Sequence, residues 1–344
     1  MRDRRPGVLV AGEALLDFVP RHIEGQLGFI PVPGGSPLNV AVGLARLGIP
    51  ASFLGRLSTD LFGRILREHL EQNEVDMQYV LDGEGPSTLA FVSQREDEEP
   101  IYAFYAHGAV DRQIGVCDLP ETLPDRLRAI HVGSYSLAVD PIAGTLESLI
   151  EKARGERVVS LDPNVRPSLV GHRETYLQRL ERFIERADIV KLSRADATWA
   201  WPDADATELA RQWLRRGPSL IVLTDGAAPV LALMDDAAIS AIPPSVDVVD
   251  SIGAGDAFTA ALLCWLQENG RLTPEELRSL SPADLTACID FASHAAAFTC
   301  TRRGANPPTR SEVESFKSHP PHADSSGKDP QLRNRAFNEG DGLS

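Results

Sequence analysis

The chain changes character at Val249-Asp250-Ser251-Ile252-Gly253-Ala254-Gly255-Asp256-Ala257-Phe258, where a β-branched run gives way to two glycines, a carboxylate and an apolar, helix-like segment. A glycine-rich turn into a helix leaves backbone N–H groups without internal partners, and these donors bind anions with help from the helix dipole. A side chain at position 253 or 255 would keep a phosphate away from the backbone. Because Asp256 would repel that anion, we expect it to accept the proton of a hydroxyl that attacks a phosphoryl group. The alternative is that Asp256 only favours the first helical turn.

A second glycine-rich helix entry lies near the N-terminus, at Gly34-Gly35-Ser36-Pro37-Leu38-Asn39. Ser36 suits an N-cap and Pro37 suits the first helical position, so a helix is predicted over 38–47. Asn39 then lies in the first turn with its polar side chain directed outward. The sequence therefore predicts two helix entries of similar design, far apart in the chain.

The rest of the chain alternates strands and helices, which is typical of a parallel sheet. Strands are predicted at Val8–Ala11, Ala51–Leu54, Ala129–Val132, Val158–Leu161, Ile189–Leu192 and Leu220–Leu223, with a hairpin at 229–242. Helices are predicted at Asp60–Gln72, Ile142–Ala153, Thr175–Ala187, Ala206–Arg216 and Ala283–Phe298. Asp17 follows the first strand, at the edge where open α/β sheets bind ligands.

Two β-type runs without an intervening helix, Thr88–Ser93 and Ile101–Ala106, indicate a separate small antiparallel sheet. They are joined by a charged connection at 94–100, and residues around 27–32 could add a strand. Such a sheet would act as a lid that excludes water from a ligand site. Beyond Phe316 the chain is polar and aperiodic, so residues 318–344 are predicted to be disordered.

Composition narrows the class of protein. The chain has 344 residues and a net charge of −15, which argues against nucleic acid as a partner. No apolar run is long enough to span a bilayer, and the N-terminus lacks the apolar segment of a signal peptide. Four cysteines stand far apart with no CxxC pair, so neither a disulfide framework nor a zinc site is indicated. We expect a cytoplasmic protein that binds neither nucleic acid nor membrane.

The motifs together resemble the ribokinase-like (PfkB) family of carbohydrate kinases over roughly residues 7–316. The resemblance rests on both glycine-rich entries and on three further segments in the family's order, Gly12–Phe18, Asp162–Pro167 and Thr301–Ala305. It implies an α/β fold with a doubly wound, mainly parallel sheet flanked by helices and a small β-sheet lid. It also implies one kinase domain at 1–317, with the lid at about 13–34 and 87–107.

The resemblance implies an ATP-dependent sugar kinase that uses Mg²⁺. In that family the position of Asp256 is the catalytic base, and those of Gly253, Ala254 and Gly255 form the anion hole. We expect the helix N-terminus to lower the pKa of Asp256. The positions that match the family's sugar contacts are Asp17, Gly34, Gly35 and Asn39, with Arg166 near the acceptor or the transferred phosphate. A helix-start residue facing solvent remains the alternative for Asn39, and a surface ion pair for Arg166.

The nucleotide and metal positions are also implied by the resemblance. They are Lys191, Ser193, Asp196, Thr224, Gly226, Gly253, Gly255 and His294 for the nucleotide, and Asp250 with Ile252 for a potassium ion. His294 could instead be an ordinary core or surface histidine, and Asp250 could cap a turn. The family's Asn-x-x-Glu appears here as Ser193-Arg194-Ala195-Asp196, so Asp196 is expected to act through water.

Within the family the motifs resemble those of fructokinases most, and the expected product is fructose 6-phosphate. One departure bears on the sugar, because fructokinases often carry an arginine where Ala106 follows an aromatic pair. A kinase for another sugar or sugar acid, such as 2-keto-3-deoxygluconate, is the alternative. A catalytically silent sugar-binding relative is a second alternative. A homodimer through the lid is a further expectation.

Overall fold

The structure is a computed structural model that describes residues 5–23, 26–93 and 101–319. The charged connection predicted at 94–100 lies outside these residues, and so do residues 320–344 of the tail predicted to be disordered. Ser318, where that tail was predicted to begin, is the last residue of a helix. Within the described ranges, none of the helices combines the length and the apolar character that crossing a bilayer would require.

The secondary structure alternates as the sequence predicts. The strands are β1 (Gly7–Ala11), β2 (Leu15–Ile23), β3 (Gln26–Gly34), β4 (Ala51–Ser58), β5 (Asp76–Gly83), β6 (Thr88–Ser93), β7 (Ile101–Tyr105), β8 (Leu127–Gly133), β9 (Val158–Asp162), β10 (Ile189–Ser193), β11 (Leu220–Thr224), β12 (Val230–Leu233) and β13 (Ala238–Ala241). The helices are α1 (Ser36–Arg46), α2 (Leu61–Gln72), α3 (Ile142–Ala153), α4 (Arg173–Arg186), α5 (Arg194–Ala200), α6 (Ala206–Leu214), α7 (Ala254–Glu268), α8 (Pro274–Arg278), α9 (Pro282–Cys300) and α10 (Arg310–Ser318).

One large sheet forms the centre of the molecule, in the order β13-β12-β11-β10-β9-β8-β1-β4-β5. The pairs β11/β12 and β12/β13 are antiparallel, and the other pairs are parallel. Successive residues of β1 enter different cores: Val8 and Val10 pack with α1, α7 and α9, while Leu9 and Ala11 pack with α3, α4 and α6. Burial on both faces explains the continuous apolar runs in these strands. The predicted doubly wound, mainly parallel sheet is confirmed.

A second, four-stranded sheet has the order β3-β2-β6-β7. The outer pairs β2/β3 and β6/β7 are antiparallel, but the central pair β2/β6 is parallel. The small sheet is therefore mixed rather than wholly antiparallel. The reason lies in the topology, because both β2 and β6 leave strands of the central parallel sheet and run outward in the same direction.

Several elements differ from the prediction at their ends. The strand predicted at Ala51–Leu54 continues to Ser58, and β5 was not predicted at all. β5 lies at the edge of the central sheet and is only partly buried, so its sequence mixes polar and apolar residues without the alternation that marks a strand. No strand immediately precedes α7. The β-branched residues Val248 and Val249 are instead exposed in an irregular segment.

The parallel strands end at one common edge of the central sheet. Gly12, Asp162, Ser193 and Thr224 lie at or just after the ends of β1, β9, β10 and β11. Side chains that follow parallel strands converge at this edge, and ligands of open α/β sheets bind there. The fold thus brings together segments that the sequence separates by more than two hundred positions.

Candidate active site

The two glycine-rich helix entries meet at Asp256. This residue lies in the first turn of α7 and is 6% exposed. Its two carboxylate oxygens accept hydrogen bonds from Ser36 Oγ at 2.6 Å and from Asn39 Nδ2 at 2.8 Å. Both donors belong to the first turn of α1, so Asn39 does not face solvent. Ser36 is not the N-cap either, because Gly35 occupies that position and the Ser36 hydroxyl is directed to Asp256.

The environment of Asp256 raises its pKa, whereas the sequence analysis expected the helix N-terminus to lower it. Burial is the largest cause, since it removes the charged form from water. The hydrogen bonds from Ser36 and Asn39 oppose this shift without cancelling it, and the nearby Asp162 carboxylate adds to it. A raised pKa makes Asp256 a stronger proton acceptor than a helix N-terminus alone would leave it.

The turn before Asp256 has the shape that an anion hole requires. Gly253 caps α7 with φ 78°, and a Cβ at this position would also lie 2.7 Å from Ala305. The first helical hydrogen bond runs from the Ala257 N–H to the Gly253 carbonyl. The Ala254 N–H donates to the Ser251 carbonyl over 3.3 Å, while the N–H groups of Gly255 and Asp256 belong to the helical turn that has no internal acceptors.

A buried ammonium lies directly beside this turn. Lys191, on β10, is 6% exposed, and its Nζ donates to Asp162 Oδ2 at 2.8 Å. A Cβ on Gly255 would lie only 2.8 Å from the same Nζ. Gly255 therefore allows the helix backbone to approach the Lys191 ammonium closely, and a larger residue would displace that ammonium from its present position. The site holds a fixed positive charge in addition to the helix dipole.

Asp17 projects from the lid strand β2 into the same region. It pairs with Val32 of β3, and a Cβ on the neighbouring Gly34 would lie 2.3 Å from the Asp17 carboxylate. Burial raises the pKa of Asp17 to about 7, the positive charge of Arg166 opposes the shift, and the Asp256 carboxylate adds to it. The predicted sugar residue, the predicted base and Arg166 are thus within electrostatic reach of one another.

Arg166 and Asp196 are held by the loop that follows β9. The Arg166 guanidinium donates to the carbonyls of Asn164 and Val165, at 3.2 and 3.1 Å. Asp196 accepts from Val165 N at 3.0 Å and from Ser193 Oγ at 2.7 Å, and Ser193 also caps α5. Burial and the nearby Asp162 carboxylate raise the pKa of Asp196. Asp162 and Asp196 therefore form a carboxyl pair next to Lys191.

The other residues predicted to contact the nucleotide lie in two different parts of the structure. Thr224 lies opposite Ser193 in the β10/β11 pairing, and Gly226 follows it with φ 53°. His294 lies on α9, where Nδ1 contacts the Asp290 carbonyl at 2.8 Å and the ring packs edge-on against Phe316. The structure thus groups Thr224 and Gly226 with the strand-end residues, while the contacts recorded for His294 are to α9 and α10.

Asp250, one of the residues predicted to hold a monovalent cation, joins the Ile252 segment to the turn at Gly304. One carboxylate oxygen accepts from Ile252 N at 3.0 Å, and the other accepts from Gly304 N at 2.8 Å. Asp250 thus has the turn-capping contacts that were the alternative. Each oxygen retains a lone pair that could also face a cation.

Three residues of the site were missed or misassigned from the sequence. Asp162 begins the Asp162–Pro167 motif directly after a predicted strand, and this position could have marked it as a site residue. Ser36 was interpreted only as a helix cap. Tyr102, on β7, carries no local signal, but burial and then the Asp17 carboxylate raise its pKa, so its phenol lies near Asp17.

A buried carboxyl at a helix entry, backbone donors in the same turn and a small sheet that carries Asp17 are features of a phosphotransferase that acts on an alcohol. Residues 8–312 match the family described as pfkB family carbohydrate kinase. The chain belongs to this family and is a sugar kinase, as the sequence predicted.

Proteins similar to this chain in sequence and in structure are also sugar kinases. A fructokinase from Rhizobium leguminosarum bv. trifolii is 38% identical over 274 residues, which cover 79% of this chain and 83% of the relative. A fructokinase from Salmonella typhimurium is 34% identical over 302 residues, covering 87% and 94%. The crystal structure of a Xylella fastidiosa fructokinase with bound ATP has a TM-score of 0.84 at 29% identity, covering 91% of this chain and 98% of that one.

The raised pKa of Asp17 predicts a pH-dependent gain in stability for Asp17→Asn. The unfolded chain ionises Asp17 near the ordinary value of 3.8, whereas the folded protein holds the proton up to about 7. The folded state binds more protons between these values, so the free energy of unfolding falls as pH rises through this window. Asn does not titrate. The variant should therefore gain melting temperature over wild type from about pH 4 to about pH 7, by more than roughly 2 °C at the upper end.

Thermal melts of both proteins across this pH range test the prediction. The exposed Asp235→Asn, in the turn between β12 and β13, is the matched control and should show no such trend. A stability difference that does not change with pH would show that Asp17 is already ionised in the folded protein.

Proposed function

We propose that this kinase transfers the γ-phosphoryl group of ATP to fructose, giving fructose 6-phosphate. The geometry of Asp256 carries the proposal. A buried carboxyl with a raised pKa lies at a helix entry, beside free backbone donors and the Lys191 ammonium. The substrate assignment is supported by relatives that are named fructokinases, and the nucleotide by the ATP in the Xylella fastidiosa structure.

Each residue then has a defined task. Asp256 accepts the proton of the attacking hydroxyl, and Ser36 and Asn39 hold its carboxylate in one orientation. The N–H groups of Gly255 and Asp256 face the charge that develops on the transferred phosphoryl group. Lys191 supplies a positive charge at the same turn. Asp17 binds sugar hydroxyls from the lid, and Arg166 stands close to it, where a guanidinium suits phosphate oxygens.

A magnesium ion fits the carboxyl pair formed by Asp162 and Asp196. Both offer carboxylate oxygens near the strand ends. Burial and then the charge of Asp162 raise the pKa of Asp196, and a divalent cation would relieve the repulsion between the two carboxyls. Bound there with ATP, Mg²⁺ would neutralise phosphate charge. The described residues include no cluster of three or more His, Cys, Asp or Glu side chains, so water would supply the other ligands.

A potassium ion is the second cation we propose, beside Asp250 and the Ile252 segment. It would order the loop that leads into the anion hole without touching substrate. Turnover should be higher in potassium than in sodium or a bulky organic cation, and equal rates in all three would refute the site.

We also propose a homodimer through the outer face of the lid. Phe18, Phe29, Phe91 and Tyr105 form a continuous aromatic cluster there, with Phe29 40% and Tyr105 65% exposed. Exposed aromatic area of this kind, on a small sheet with an edge strand as long as β3, is typical of an interface. Light scattering at micromolar concentration tests the oligomeric state. The wild type should be a dimer and Tyr105→Glu should shift it to a monomer. A wild-type protein that is already monomeric, with the same mass as Tyr105→Glu, would contradict the proposal.

A cytoplasmic location without nucleic-acid or membrane partners completes the proposal. It is supported by the net charge of −15 and by the need for ATP. Cell fractionation checks it, and recovery of the protein with membranes would refute it.

Asp256→Asn isolates the base. The substitution keeps the shape of the side chain but removes the proton acceptor, so kcat should fall by about 10²–10⁴-fold. Nucleotide affinity should be retained or increase, because the backbone donors remain and a repulsive charge is lost. Asp235→Asn serves again as the control. Near-normal turnover with a lowered melting temperature would show that Asp256 is structural. A wild-type protein that binds the sugar but releases no ADP would favour the silent sugar-binding relative.

A panel of sugars tests the substrate. Ala106 stands where a cation could have met an anionic acceptor, so kcat/KM should be higher for fructose than for 2-keto-3-deoxygluconate. ADP release measured across the panel gives this ratio. A ratio that favours the acid would overturn the choice of fructose and leave the kinase assignment intact.

A further inference from the structure

The chain crosses between the central sheet and the lid four times, and a buried polar cluster lies where these crossings meet. The crossings are 12–14, Gly35, 84–87 and 106–112, and each contains a glycine with positive φ, namely Gly12, Gly35, Gly85 and Gly108. The cluster, here called the hinge cluster, consists of Glu13, Thr88, Asp111, Tyr135 and Ser136. Each of the five is at most 3% exposed. None of them was assigned a role above.

Asp111 is the centre of the hinge cluster. Its Oδ1 accepts a hydrogen bond from Thr88 Oγ1 at 2.7 Å, and its Oδ2 accepts one from the Tyr135 hydroxyl. Thr88 is the first residue of the lid strand β6, whereas Tyr135 follows β8 of the central sheet. One carboxylate therefore connects the lid directly to the core.

The other crossings are connected to the same cluster. Glu13 accepts hydrogen bonds from the backbone N–H and the hydroxyl of Ser136, the residue after Tyr135. A Cβ on Gly35 would lie 3.0 Å from the Glu13 carbonyl, so the Gly35 crossing packs against it. The Val110 N–H donates to the Pro86 carbonyl at 3.1 Å, which joins the last two crossings.

Burying Asp111 is unfavourable by itself. Burial raises its pKa, and Arg112, whose positive charge opposes this shift, donates a hydrogen bond to the Ala106 carbonyl instead. A buried carboxyl without a close cation destabilises a fold unless its hydrogen bonds compensate, and apolar side chains would fill the same space at lower cost. A carboxylate offers acceptors only, however, and here both oxygens receive hydroxyl donors.

The sheet register transmits this connection to the substrate residue. Thr88 pairs with Leu15 of β2, and two positions further along the same pair of strands Ala90 pairs with Asp17. A displacement of Thr88 therefore moves Asp17 by a similar amount, because the strands are joined by their ladder of hydrogen bonds. We propose that Asp111 is a positioning residue for phosphoryl transfer, which holds Thr88 to Tyr135 and so fixes Asp17 over the acceptor sugar.

A pair of substitutions at Thr88 tests this proposal. Thr88→Val keeps the shape but removes the hydroxyl that Asp111 accepts, whereas Thr88→Ser keeps the hydroxyl and removes a methyl group. Thr88→Val should raise the KM of the sugar by about tenfold, the size expected when a hydrogen bond to a charged group is lost. The KM of ATP and kcat should change by less than about threefold, since the anion hole and Asp256 are untouched. Thr88→Ser should stay close to wild type.

Tyr135→Phe provides an independent second variant from the core side. It removes the other donor to Asp111, and it should raise the KM of the sugar in the same selective way. If both Thr88 variants lower the melting temperature and leave the KM of the sugar unchanged, the cluster only packs the core and the proposal is wrong. A fall in kcat without a change in the KM of the sugar would refute it equally.

The inference rests on the proposed function for the choice of sugar and for the sugar-binding role of Asp17. The assays therefore use whichever sugar of the panel the wild-type enzyme phosphorylates best. A wild-type preference for another sugar contradicts the fructose assignment, while the comparison of Thr88→Val with Thr88→Ser still decides the role of Asp111.

Discussion

The site depends on a single buried carboxylate shared by two helix entries. Asp256 at the start of α7 takes its hydrogen bonds from Ser36 and Asn39 at the start of α1, so two positive helix ends face one negative group. The helices pack closely enough behind it that a Cβ on Gly43 of α1 would lie 2.8 Å from the Ala260 side chain. The two hydrogen bonds hold the Asp256 carboxylate in one orientation, and they require the fold to bring the two glycine-rich segments to one edge of the central sheet.

The site contains several buried carboxyls whose charged forms are unfavourable in the absence of ligands. Burial raises the pKa values of Asp17, Asp196 and Asp256, so each of these carboxyls reduces stability in its ionised form. Lys191 is paired with Asp162, and nearby carboxylates raise its pKa against the effect of burial. The chain thus gives up stability at a place where a bound cation would relieve the repulsion among the carboxyls. Such a concentration of unfavourable groups is typical of functional sites.

The lid adds a mechanical requirement. A sheet attached through four flexible crossings can exclude water only if its position over the core is defined. Most of the crossings contain small residues that permit movement, and the buried hydroxyl and carboxyl groups around Asp111 supply the directional contacts that apolar packing does not. The aromatic cluster on the outer face lies on the other side of the same strands. Asp17 and the aromatic cluster therefore lie on opposite faces of one small sheet.

Much of the fold follows from the sequence, and Asp256 can be singled out as the candidate base, because these signals are local. The apolar runs of the buried strands, the turn chemistry at Gly253–Asp256 and the repeated entry at Gly34–Asn39 can each be recognised within about ten residues, and together they predict the family. The mainly parallel sheet and the sugar kinase activity were predicted in this way. The ends of the strands and the edge strand β5 were not predicted, because partly exposed strands lack the continuous apolar run of a buried strand.

Only the tertiary structure decided what each side chain contacts. It directs Ser36 and Asn39 to Asp256, places Lys191 beneath Gly255, makes the β2/β6 pairing parallel and gathers the hinge cluster around Asp111. It also reverses the expected shift of the Asp256 pKa, because the sequence shows the helix N-terminus but not the burial that outweighs it. Local patterns specify elements and turns. Burial and contacts between residues two hundred positions apart depend on how those elements pack, and no local pattern contains that information.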